Sequence, residues 1–83
     1  SGNAGRAREL ARESWRAGLR ALLSGQTDEA RAAFARAQSR DPGYAAAHDM
    51  VGRLAWAAGD AKAAEQSFRR ALALAPTYGP SLA

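Results

Sequence analysis

His48 is the single histidine of the chain and stands beside Asp49, and these two residue types together can share a proton in acid–base catalysis. Adjacent residues on a helix point about 100° apart, so the two side chains do not form a dyad, and His48 is expected as a half-buried spacer. One histidine and no cysteine give a metal cluster, a thiolate site or a histidine-based triad nothing to build with. Gly18, Gly25, Gly52 and Gly59 fall singly, at helix-packing and turn positions, rather than in a loop that cradles phosphate. The expectation is a protein without catalytic residues, cofactor or metal, and not an enzyme.

Two further groupings carry recognition chemistry. Arg8, Arg12, Arg16 and Arg20 form a ladder at four-residue spacing, which on a helix could grip phosphates or an acidic partner. Glu9 and Glu13 stand three residues before Arg12 and Arg16 and offset part of that charge. No aromatic or glycine-rich nucleic-acid module accompanies the ladder. It is therefore expected to be a solvated, salt-laced face, with nucleic acid not a partner. The second grouping is Trp15 and Trp56, flanked by Arg12 and Arg53, and exposed tryptophan and arginine dominate binding hot spots.

The elements that hold these residues follow from an internal repeat. The two phenylalanines, Phe34 and Phe68, are 34 residues apart, and so are the two tyrosines, Tyr44 and Tyr78. The same offset pairs Gly18 with Gly52, Gly25 with Gly59, Arg36 with Arg70 and Pro42 with Pro76. Residues 11–44 and 45–78 share ten identities, and discounting four alanine pairs leaves six on residue types that seldom match by chance. A fixed period of this length means one supersecondary unit used twice, each copy burying its apolar face on the next.

Within each unit the pattern is helical. Leu10, Ala11, Ser14, Trp15, Gly18, Leu19 and Leu22 recur at three- and four-residue steps, one face of a helix that begins near Arg6. Gly25 is placed to close it in the left-handed conformation. Asp28 and Glu29 open a second helix carrying Ala30, Phe34 and Ala37, and Pro42 ends that helix before Asp41. The second unit repeats the order, with Asp60 as a cap and Pro76 as the stop. Residues 1–5 lack apolar content and are expected to be frayed or tag-derived, leaving 6–83 as one domain. Residues 79–83 are expected to start a partial third unit as a short helical stub.

Composition agrees with an all-α reading. There are 23 alanines and 11 arginines, one valine and no isoleucine, which favours helix over strand. The formal net charge of +4 comes almost wholly from arginine, as a GC-rich, bacterial-like coding sequence would supply. The longest apolar runs span a few residues, far below the roughly 20 that a membrane helix needs.

A 34-residue helix–turn–helix with these residues resembles the tetratricopeptide repeat. The first copy gives Ser14, Ala17, Gly18, Ala21, Ala30, Phe34, Ala37 and Pro42 at the family's motif positions. The second gives His48, Val51, Gly52, Ala55, Ala64, Phe68, Ala71 and Pro76. The resemblance implies two antiparallel helix hairpins in an α-α superhelix. It also implies a non-catalytic scaffold whose first helices line a concave groove for a partner peptide or helix. At the groove positions stand Arg12, Trp15, Leu19 and Leu22 from the first copy, with Asp49, Arg53 and Trp56 from the second. Trp15 has a second possible placement, rotated by one position into the core that Ser14 leaves thin. The clamp by which some members hold a C-terminal carboxylate is absent, since Trp15, Leu19 and Met50 occupy three of its positions.

Ser14, Ala17, Ala21, Gln38 and Arg40 are smaller or more polar than the motif usually shows, so the first hairpin is expected to have the thinner core. At the other end Phe68, Leu72 and Leu74 would be left uncovered by a third unit, with Tyr78 and Leu82 near them. Homodimerisation through that edge is the alternative function to peptide binding.

Overall fold

The computed structural model describes residues 2–75, with side chains from Asn3 onward. The expected stub, including Tyr78 and Leu82, lies outside the described residues. Four helices follow one another: α1 (Gly2–Leu23), α2 (Thr27–Arg40), α3 (Ala45–Ala57) and α4 (Ala61–Leu74). Helix α1 packs on α2, α3 on α4, and α2 on α3, while α1 also touches α3. These are the two hairpins the repeat predicts.

Both hairpins turn by the same device. Gly25 has φ +75° and Gly59 φ +86°, a conformation that costs glycine little and other residues much. Across the first turn Gln26 N–H donates to Ala21 C=O at 2.8 Å and Gly25 N–H to Leu22 C=O at 3.0 Å. Across the second, Asp60 N–H donates to Ala55 C=O at 2.9 Å and Gly59 N–H to Trp56 C=O at 3.0 Å. These paired bonds satisfy carbonyls that a helix end leaves orphaned. Asp60 then caps α4 by accepting from Ala63 N–H at 3.1 Å, as the sequence predicts.

The start of the chain departs from expectation. Helix α1 begins at Gly2, several residues before Arg6, so residues 2–5 are helical rather than frayed. Further along α1, Arg8 reaches the α2–α3 connection. There Arg8 pairs with the Asp41 carboxylate, donates to Gly43 C=O at 3.3 Å and lies 5.0 Å from the centre of the Tyr44 ring. Asp41 also accepts from Gly43 N–H at 3.0 Å. The Arg8 hydrogen bond, helped by that of Gly43, holds the Asp41 carboxyl below the usual range against the opposing effect of burial.

A carboxyl whose folded-state pKa is depressed adds stability above its unfolded pKa, and that stability is lost as pH falls through the folded one. Arg8→Ala should therefore lower the urea midpoint at neutral pH by no more than about 1 kcal/mol equivalent, since Arg8 is partly exposed. The gap from wild type should close once acid has protonated Asp41. A gap that persists unchanged in acid would mean that Arg8 acts by packing on Tyr44 rather than through the carboxylate.

The core is built largely from alanine. Ala30, Phe34, Ala21 and Leu54 form one cluster, with Trp15, Leu19, Leu22, Met50 and Val51 packed against it. Ala11, Ala37 and Ala47 form a second, covered by Trp15 and Tyr44. Phe34 is fully buried, with its ring against Gly18. Its repeat mate Phe68 packs on Gly52 but stays half-buried.

Candidate partner-binding surface

The residues expected to line a groove belong to α1 and α3, the first helices of the two hairpins, which lie in contact. On α1, Leu19 and Leu22 are half-buried against the Phe34 cluster and Arg12 is exposed. Trp15 is half-buried and touches both core clusters. Its indole Nε1–H donates to Ala46 C=O, in the first turn of α3, at 3.2 Å. The two placements left open for Trp15 are thus combined: one side of the ring fills the α1–α3 junction while part of it stays accessible.

On α3, Arg53 Nε donates to Asp49 at 2.8 Å, four residues earlier, with Asp49 largely covered and Arg53 mostly exposed. The pair is a local helix contact of a few tenths of a kcal/mol, so it orders the arginine more than it stabilises the fold. Trp56 is 66% exposed. It lies at the α4 end, where it lines a depression of about 420 Å3 with Ala61, Ala64, Phe68 and Leu72, flanked by Glu65 and Arg69. The structure therefore brings Trp15, Leu19 and Leu22 together on one helix and sets Trp56 with the edge residues Phe68 and Leu72. Leu74 is half-buried.

Two contacts were not legible from the motif alone. One is the Arg8–Asp41–Tyr44 clasp, which needs helix residues ahead of the repeat. The other centres on His48, whose Nε2 is 2.9 Å from Pro42 C=O and whose Nδ1 is 3.0 Å from Gln38 Nε2. With Nε2 protonated, His48 donates to the carbonyl and accepts from the amide, so its ring bridges α2, α3 and the turn between them. Gln38 and His48 are both polar where the motif asks for bulk, and that shared departure was the available signal.

No curated protein and no solved structure matches the chain. The family model for the tetratricopeptide repeat matches residues 45–78, which are helix α3, its turn, helix α4 and the four residues after it. Over those 34 residues the chain is similar to the tetratricopeptide repeat. Its first hairpin has the same build, from the glycine that seats a phenylalanine to the left-handed turn. Repeats of this family generally mediate protein–protein interactions and are typically non-catalytic scaffolds. Among the described residues no helix is long and apolar enough to cross a membrane.

Proposed function

We propose that this chain is an interaction scaffold that holds a peptide or helix of a partner protein along the α1–α3 face. The observation that carries this reading is the half-buried stripe of Trp15, Leu19 and Leu22 on α1, with exposed Arg12 on the same helix and Arg53, held by Asp49, on the α3 helix that α1 touches. A pre-formed apolar strip with fixed charges beside it binds at low ordering cost. The arginines favour a partner segment that combines bulky apolar residues with carboxylates.

The test is selection of peptides from a displayed library on the Leu72→Asp variant, which blocks the α4 edge. Selected peptides should bind Arg12→Glu and Arg53→Glu about tenfold more weakly than the parent, and Arg40→Glu, on α2, equally well. Equal binding by all three variants would remove the α1–α3 face as the site.

A second reading, self-association through the α4 edge, is favoured by a different observation. Phe68 is half-buried where its repeat mate Phe34 is fully covered by the next hairpin.

A further inference from the structure

The surface that α3 covers on α2 recurs on α4, where none of the other described helices covers it. In the first hairpin Leu22, Ala30 and Phe34 receive Met50, Val51 and Leu54 from α3. One repeat later the same positions are Trp56, Ala64 and Phe68, and they line the 420 Å3 depression beside Leu72, which is 47% exposed. This is a seat shaped for a helix.

The opposite end of the molecule narrows what can fill it. The α3 residues that cover α2 and its neighbours are Ala47, Met50, Val51 and Leu54. Their repeat mates on α1 are Glu13, Arg16, Ala17 and Arg20, of which the three charged residues are exposed. A second copy stacking head to tail would press three charges into the apolar seat, and burying unpaired charge is costly. Of the remaining pairings, α4 against α4 buries the seat on both copies and closes on itself.

We propose, resting on the self-association reading above, that two copies pair α4 antiparallel about a twofold axis passing near Ser67. Helical spacing puts Ala61, Phe68 and Leu72 at the centre of the contact, above the already buried Ala64, with Glu65 and Arg69 along one flank and Arg70 on the far side. Antiparallel pairing about that axis sets Leu72 of each copy against the small Ala61–Ala64 end of the other. The same operation keeps the charged flanks on one side and places Glu65 of each copy beside Arg69 of its mate. In the single chain these two are an exposed pair at 3.0 Å, with side chains 62% and 77% accessible. In the dimer the pair is exchanged between copies, giving two matched contacts, and Trp56 closes the rim at each end.

Sedimentation of the full chain from micromolar to millimolar concentration tests association, and charge reversal tests the geometry. The mass should rise from 8.7 kDa to twice that value and level off. Leu72→Asp should weaken dimerisation by about tenfold or more, with the helical spectrum retained because Leu72 is exposed. Glu65→Arg alone and Arg69→Glu alone should each dimerise poorly, since each sets like charges opposite one another. An equal mixture of the two variants should recover dimer. One variant then presents positive charge at both positions and the other negative charge at both, so each contact between them joins opposite signs. A strict monomer at millimolar concentration would overturn both this geometry and the self-association reading. A dimer whose affinity ignores the charge reversals, or growth beyond the dimer, would overturn the geometry while leaving self-association standing.

Discussion

Phe34→Ala is expected to unfold the domain at room temperature or leave it barely stable, while Phe68→Ala leaves it folded. Removing a fully buried phenylalanine costs about 3–5 kcal/mol. A chain of 83 residues has a total stability of roughly 4–12 kcal/mol, and a core this small and alanine-rich belongs at the low end, where the first change consumes most or all of it. The difference between the two sites lies in what surrounds each ring. Phe34 lies against Gly18 in a cluster with Ala21, Ala30 and Leu54, on which Trp15, Leu19 and Leu22 of α1 and Met50 and Val51 of α3 pack. None of these flexible neighbours can fill the void without leaving its own packing. Phe68 packs on Gly52 and, among the described residues, is half-buried beside the depression on α4 that it lines with Ala64. Its truncation should cost about 1–2 kcal/mol, close to the transfer of a half-buried ring. Urea unfolding followed by circular dichroism reads both values. Equal losses would mean that the α4 seat is covered in solution as completely as its mate on α2.

The same two residues show how far the sequence could be read. Period, hairpins, turns and the Asp60 cap are local or repeated features, and each was visible as a residue type at a fixed offset. Gly25 and Gly59 announced their left-handed turns, and Pro42 marked the end of α2. The relative bulk of the hairpins was not visible in this way. Ser14, Ala17, Ala21, Gln38 and Arg40 made the first hairpin look thin, yet among the described residues it holds the one fully buried large side chain. Periodicity assigns a residue to a face but does not say what the facing helix brings to it. Trp15 leans into α3 through Ala46, Leu19 and Leu22 cover the Phe34 ring, and Gln38 finds His48 across the helix boundary. Those contacts are between helices, and the apparent deficit in the first unit is made up by the second. The Arg8 clasp escaped for a related reason, since it joins residues 33 apart in sequence and none of them belongs to the motif. For the candidate surface, the apolar stripe on α1 was legible because it is a single helix face. The grouping of Trp56 with Phe68 and Leu72 was not, because it joins two helices at the end of the array.

Gly18→Ala should destabilise the chain, and Gly52→Ala should leave its stability almost unchanged, although both replace glycine by alanine in mid-helix. On an exposed helix this exchange stabilises by about 1 kcal/mol, so any loss must come from the added methyl. At Gly18 that carbon would stand 2.5, 2.6 and 2.8 Å from three atoms of the Phe34 ring, well inside contact distance. The ring is fully buried and has nowhere to retreat, so overpacking of about 1–3 kcal/mol or more is expected. The net loss is then up to about 2 kcal/mol, a fall in Tm of several degrees for a domain of this size. At Gly52 the clash is nearly as close, at 2.7, 2.8 and 3.1 Å from the Phe68 ring. There the half-buried ring can swing toward the open depression, so the helix-propensity gain offsets what remains. Combining Gly18→Ala with Phe34→Leu should recover more than the separate losses allow, a coupling above about 0.5 kcal/mol, because the shorter side chain makes room for the methyl. Additive losses would show that the strain at Gly18 spreads through the backbone of α1 and α2 rather than residing in the contact with the ring. An equal loss at Gly52 would show that Phe68 is held as rigidly as Phe34, which in solution requires something seated on α4.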